Sequence, residues 1–136
     1  MRVIVCGGRD YTDKSAVYKH LDQALAKHPD LVVIHGAARG ADTLAGQWAE
    51  ERGVPVEAFP ASWGLHGKAA GHLRNQQMLD AGAQATIAFP GGAGTRDMVN
   101  RSLNHGIKVW DLRSIPFTPA PVKKQIERGS DGIQGA

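Results

Sequence analysis

The chain has 136 residues, a formal charge of +3 at pH 7, 42% hydrophobic and 21% charged side chains, and one cysteine. That length fits one compact domain around a single core, and the mildly basic balance favours anionic ligands without demanding nucleic acid. A lone Cys6 excludes an internal disulfide and fits a reducing compartment, while no apolar run approaches the roughly 20 residues that span a bilayer, so no membrane partner and a cytoplasmic location are expected.

Arg2-Val3-Ile4-Val5-Cys6 is a short β-branched run that reads as a central strand buried on both faces. It follows Met1 directly, which leaves no room for a signal peptide. Gly7-Gly8-Arg9-Asp10-Tyr11 ends it, and Asp13 or Ser15 can cap a helix with an apolar stripe of Val17, Leu21, Ala24 and Leu25. His28-Pro29 stops that helix. Leu31 to His35 is the second strand, and Gly36-Ala37-Ala38-Arg39-Gly40 forms a second glycine-bearing corner. The next helix shows Leu44, Ala45, Trp48 and Ala49 on one face and closes on Gly53. Val54 to Phe59 makes a third strand, whose Pro55 predicts a sheet-edge position.

Pro60 to Gly71 is a longer loop, followed by a helix over about Ala70 to Ala81 that ends at Gly82. Ala85 to Phe89 is the fourth strand, broken at Pro90 into Gly91-Gly92-Ala93-Gly94 before a helix expected to start at Thr95 as its N-cap. That helix directs Met98, Val99, Ser102 and Leu103 inward and stops at Gly106; Ile107 to Trp110 is the fifth strand. Residues 1–112 are expected to form the domain and 113–136, with Pro116, Pro119 and Pro121, a weakly structured tail.

Strands alternating with helices predict an α/β fold: a single Rossmann-like, three-layer domain with a five-stranded parallel sheet. Right-handed crossovers leave few topologies, and the order 3-2-1-4-5 reverses direction between the first and fourth strands. Ligands of open α/β sheets bind outside the carboxyl ends of strands at such a switch point. There Gly7-Gly8-Arg9 would lie beside Pro90-Gly91-Gly92, with Gly36 to Gly40 adjoining. Any one corner is equally well a plain strand-to-helix turn. Three facing one crevice favour an anion site built from backbone N–H groups and a helix N-terminus.

Arg74 lies one helical turn before Met78, so if Met78 packs on the sheet, Arg74 approaches the ligand edge and can clamp a phosphate. Arg9 and Arg39 can add charge at two other corners. Asp97, taken as lying in the first turn after Thr95, suits the helix dipole, a structural role that suffices without catalysis; Asp42 carries the same ambiguity. No nucleophile elbow or triad spacing surrounds Ser15, Ser62 or Cys6. The six histidines lack ligand spacing, so neither metal nor cofactor is expected. Trp63, His66 and His72 can line a ring pocket, whereas Trp48 and Trp110 fit the core.

On these residues the chain resembles the SLOG superfamily, specifically its YspA-like branch, which is related to the LOG (Lonely Guy) proteins and the Rossmann-like domain of DprA. The resemblance covers roughly Arg2 to Leu112. Pro90-Gly91-Gly92-Ala93-Gly94-Thr95 matches the LOG phosphate-binding motif PGGxGT without a gap, and Val5-Cys6-Gly7-Gly8 is similar to the LOG first corner. His72-Leu73-Arg74 resembles the MHxRK helix, whose arginine is assigned to catalysis, and His35 to Asp42 is similar to the DprA segment SGxARGID.

The resemblance implies a phosphate site made of Gly7, Gly8, Arg9, Gly36, Arg39, Gly40, Arg74, Gly91, Gly92, Gly94 and Thr95. LOG enzymes hydrolyse the base–ribose bond of nucleoside 5′-monophosphates, with a glutamate in PGGxGTxxE near the ribose. That position is Met98 here, Asp97 points about 100° away from it on a helix, and Asn75 replaces the lysine after the arginine. These departures speak against hydrolysis and leave phosphate binding intact.

The leading expectation is therefore binding of a nucleotide or nucleotide-derived small molecule. One alternative is a phosphoribohydrolase with Arg74 and Asp97 as catalytic residues. Another is a DprA-like single-stranded DNA binder, which the modest charge and sparse aromatics rank lower. A homodimer or higher homo-oligomer is implied by the resemblance alone.

Overall fold

The computed structural model describes residues 1–62, 64 and 67–113. Trp63 and His66, read above as pocket candidates, and the tail beyond Arg113 lie outside the described residues. Five strands run in parallel: β1 (Arg2–Cys6), β2 (Val32–His35), β3 (Val56–Ala58), β4 (Ala85–Ala88) and β5 (Lys108–Asp111). Among the elements of the described residues, α1 (Lys14–Lys27), α2 (Ala41–Arg52), α3 (Ala70–Asp80) and α4 (Ala93–Asn104) connect them, with a 3₁₀ turn at Gly67–Ala69. The sheet order is β3-β2-β1-β4-β5, as the alternating pattern predicts, and β3 with its preceding Pro55 takes an edge.

Side chains alternate across each strand. Val3, Val5, Val33 and Ile87 face α1 and α2, where Leu21 and the fully buried Trp48 fill the layer. Ile4, Cys6, Ile34 and Ala88 face α3 and α4, against Met78, Leu79, Met98 and Val99. Helices on both faces explain why β1 and β4 carry almost no polar side chain. Past Arg2, which opens β1, the exception is Thr86, buried with its hydroxyl 2.8 Å from that of Ser102, which also donates to the Met98 carbonyl at 2.8 Å. The pairing satisfies both of these buried hydroxyls.

Two local expectations need correction. Helix α4 starts at Ala93, with Gly92 as N-cap and no side-chain cap, so Thr95 lies inside the first turn rather than before it. Its inward face is Thr95, Met98, Val99 and Ser102, at the i, i+3, i+4, i+7 spacing of one helix stripe. Leu103, expected inside, falls off that stripe and is 58% exposed.

Candidate functional site

At the carboxyl ends of β1, β2 and β4 the three glycine-bearing corners interlock through one residue. The Gly8 N–H donates to the Pro90 carbonyl at 2.8 Å, and the Gly8 carbonyl accepts from the Ala41 N–H at 3.2 Å. So close an approach excludes side chains. A Cβ on Gly91 would lie 2.6 Å from the Gly8 nitrogen, and one on Gly40, whose φ is +76°, would lie 2.1 Å from the Gly8 oxygen. At Gly92 and Gly94, by contrast, an added Cβ meets nothing within 4 Å. Gly40 and Gly91 thus serve the packing of the corners, whereas Gly92 and Gly94 border open space.

The corners surround a cleft of about 410 Å³, within the range of small-molecule sites. Of the predicted residues, Gly7, Gly8, Arg9, Arg74, Gly92, Gly94 and Thr95 line it, together with Cys6, Asp42, His72, Asn75 and Met78. Gly36 and Arg39 line an adjoining hollow of about 300 Å³, which Arg9 and Arg74 share with the main cleft. Gly40, Gly91 and Asp97 are among the lining residues of neither. Arg39 is largely exposed and pairs with Asp10 at 3.6 Å. Met98, at the position the resemblance gives to a glutamate, is fully buried in the α3/α4 layer.

One wall of the cleft is the N-terminus of α4. With no side-chain cap, its first-turn N–H groups keep their positive end towards the cleft. Thr95 is 4% exposed, and its hydroxyl has no hydrogen-bond partner among the described residues. The opposite wall carries Arg74 from α3. Its Nη1 donates to the Gly36 carbonyl at 2.6 Å and its Nε to Asn75 Oδ1 at 3.0 Å. The Nη2 amino group has no hydrogen-bond partner among the described residues. Burial lowers the Arg74 pKa from its ordinary value, and the nearby Asp42 carboxylate opposes that shift.

Asp97 does not stand in the first turn of α4, so the dipole argument made for it fails; its partners come from α3 and from its own helix. Asn75 Nδ2 and Arg101 Nε donate to Oδ2 at 3.0 and 2.8 Å, and His72 Nδ1 lies 2.9 Å from Oδ1. Burial acts to raise its pKa, but these hydrogen bonds outweigh it and hold the carboxyl below its ordinary value. Asn75 also donates to the Gly94 carbonyl at 3.3 Å, so the residue after Arg74 latches α3 to the glycine corner.

The carboxylate that does line the cleft is Asp42, treated in the sequence only as a helix-start residue. It is 6% exposed, and its Oδ2 accepts the Gly36 and Ala38 N–H groups at 3.0 and 3.2 Å. Between them Ala37 adopts φ +58°, a left-handed conformation that costs an alanine on the order of 1 kcal/mol. Its N–H donates to Nδ1 of the buried His35 at 2.9 Å, so side chains from both sides hold the strained turn. Burial raises the Asp42 pKa to about 6, although the two N–H groups and the nearby Arg74 and Arg9 pull it back. Burial likewise pushes the Cys6 thiol up and the His35 imidazole down. The sequence signal for Asp42 was the run of small residues ahead of it, Gly40-Ala41, which lets the second residue of a helix sink beneath a neighbouring loop.

A family profile described as YspA, cpYpsA-related SLOG family matches residues 1–66, a span that ends before the Pro90 corner. The gene 61 protein of Mycobacterium phage D29 is 42% identical over 123 residues, covering 85% of this chain and 98% of that protein. Two solved structures share the fold. The X-ray structure of DNA processing protein A (DprA) from Streptococcus pneumoniae matches with a TM-score of 0.65 at 19% identity over 81% of this chain. That of TM1055 matches with a TM-score of 0.61 at 20% identity over 79% of this chain and 71% of its own. The match spans about half (49%) of the DprA chain. No helix among the described residues is long and apolar enough to cross a membrane.

Proposed function

This chain belongs to the YspA-related SLOG family, and from that premise we propose that its cleft binds the phosphate of a nucleotide or nucleotide-derived small molecule. One observation carries the reading: the uncapped N-terminus of α4, with Thr95, and Arg74 line the same cleft, and neither the Thr95 hydroxyl nor Arg74 Nη2 has a hydrogen-bond partner among the described residues. A helix N-terminus and a guanidinium are complementary to a phosphate by dipole and by charge. The buried hydroxyl supplies a donor that nothing in the described protein uses. The lone, buried Cys6 supports a reducing, cytoplasmic setting.

Hydrolysis finds less support. Asp97 is spent on three partners, and the Met98 side chain is in the core. The reading is binding without cleavage of the base–ribose bond. The likeness to DprA is one of fold, and among the described residues no basic groove with stacking aromatics favours a DNA strand over a small ligand.

Calorimetry against a panel of nucleotides and their nucleosides tests the proposal. Nucleotides are expected to bind and the matching nucleosides to bind more weakly. Thr95→Val, which removes the hydroxyl and keeps the shape, should weaken nucleotide binding about tenfold, the worth of one hydrogen bond to a charged group. Because that hydroxyl has no protein partner, the melting temperature should hold. Folded protein that binds no nucleotide, or nucleotide and nucleoside affinities that are equal, would remove the reading.

A further inference from the structure

Across the cleft from the α4 terminus lies a group that phosphate binding does not use. Asp42 satisfies two backbone N–H groups through Oδ2 alone, and Oδ1 has no hydrogen-bond partner among the described residues. The cation nearest in chemistry, Arg74, is committed to the Gly36 carbonyl and Asn75 and forms no ion pair with Asp42. A carboxylate 94% hidden from solvent, with one oxygen idle and no counter-ion bonded to it, is costly to keep. Asp42 is among the residues that line the cleft, and a donor from a ligand there would complete its carboxylate.

The position limits what that donor can be. The Asp42 corner follows β2 and the α4 corner follows β4, with β1 between them. Two strand spacings, about 10 Å, therefore separate the two ends of the cleft. A phosphate alone does not reach across, whereas a phosphate with one pentose attached does. The α4 end offers N–H donors, and the Asp42 end offers a carboxylate acceptor with Arg74 and Arg9 nearby, so the complementary guest is an anion at the first and carries a hydrogen-bond donor at the second.

We propose, resting on the phosphate-site reading above, that Asp42 determines specificity in this cleft by accepting a hydrogen bond from a ribose hydroxyl, so that the site takes ribonucleotides in preference to their deoxy forms. Besides Arg74 and Arg9, the titratable groups packed around Asp42 are the buried His35 and Cys6, and neither of these supplies a hydrogen bond to Oδ1.

The test is calorimetry on the full chain with AMP, GMP, CMP and UMP and their 2′-deoxy and 3′-deoxy counterparts, for the wild type and Asp42→Asn at pH 7.5. For the best-binding ribonucleotide, removing one of the two hydroxyls should weaken binding about tenfold on the wild type and no more than about twofold on the variant. On the wild type the ribo-to-deoxy ratio should also shrink below about pH 6, where the carboxyl takes up a proton. The phosphate's own ionisation near that pH is common to both ligands and cancels in the ratio.

Equal affinities for ribo and deoxy forms on the wild type, or an unchanged ratio in Asp42→Asn, would overturn the assignment. Should the variant fail to fold, a ratio constant between pH 5 and pH 8 on the wild type overturns it instead. Nucleotides that outbind nucleosides without hydroxyl discrimination would remove Asp42's role and leave the phosphate site standing. Absence of nucleotide binding would remove both.

Discussion

Replacing Asp42 by asparagine is expected to stabilise the protein at neutral pH. The side chain is 6% exposed, and both of its hydrogen bonds, from Gly36 and Ala38, end on one oxygen. An asparagine carbonyl can accept the same two N–H groups, so the strained turn at Ala37 keeps its support. What the substitution removes is a charge. Burial raises the Asp42 pKa from 3.8 to about 6, so the folded protein holds a proton that the unfolded chain releases between those values. The stability linked to this group is therefore complete below pH 3.8 and is lost as pH rises through about 6. A shift of about two units corresponds to about 3 kcal/mol. Urea denaturation of wild type and Asp42→Asn at pH 4, 6 and 8 measures the difference. The variant should gain about 1 to 3 kcal/mol at pH 8, or roughly 4 °C in Tm per kcal/mol, and almost nothing at pH 4. A variant less stable than wild type at pH 8, or a difference independent of pH, would refute the reasoning, because either result means that Arg74 and Arg9 already offset the buried charge.

Asp97→Asn should behave in the opposite sense. Its folded pKa is held low, so its contribution is present above the ordinary value of 3.8 and fades as pH falls through the lower folded one. The variant should lose about 1 to 3 kcal/mol at pH 7, read by the same urea titration, with the deficit shrinking towards pH 3; a variant of unchanged stability would deny Asp97 its part in joining α3 to α4. Gly40→Ala forces a Cβ to within 2.1 Å of the Gly8 oxygen at a φ of +76°, and should cost more than about 2 kcal/mol in thermal or urea melts. An unaltered melt would mean the corners do not interlock. Cys6 is 7% exposed and its thiol pKa is raised by burial, so a thiol reagent should modify it only as fast as the domain opens. Immediate reaction in native buffer would contradict that burial.

The architecture was legible in the chain because β1 and β2 are short β-branched runs and α1 and α4 repeat their buried positions every three or four residues. Even the edge position of β3 could be read, from Pro55. The glycine corners were legible as corners. What the sequence hid was the division of labour among them, because a glycine needed for packing, such as Gly91, and one bordering a cleft, such as Gly94, are the same letter. The start of α4 was misread for a related reason: Ala93 and Gly94 carry no side-chain signal, so the first hydroxyl, Thr95, drew the boundary. Asp97 and Asp42 changed roles because their environments are tertiary. The partners His72 and Asn75 lie on a separate helix, and Asp42 is buried by a loop that bends back over its own helix start. Dipole arguments along one helix see neither.

The bonds at Gly8 have a consequence for how the molecule would respond to a guest. A single residue, Gly8, stitches the loops after β1 and β4 to the start of α2 through its N–H and its carbonyl, so none of these loops can swing away like a flap while the others stay put. Occupancy would then be registered by the whole sheet at once, as slower amide exchange deep in β1 and β4, and the lip of the site would behave as the keystone of an arch.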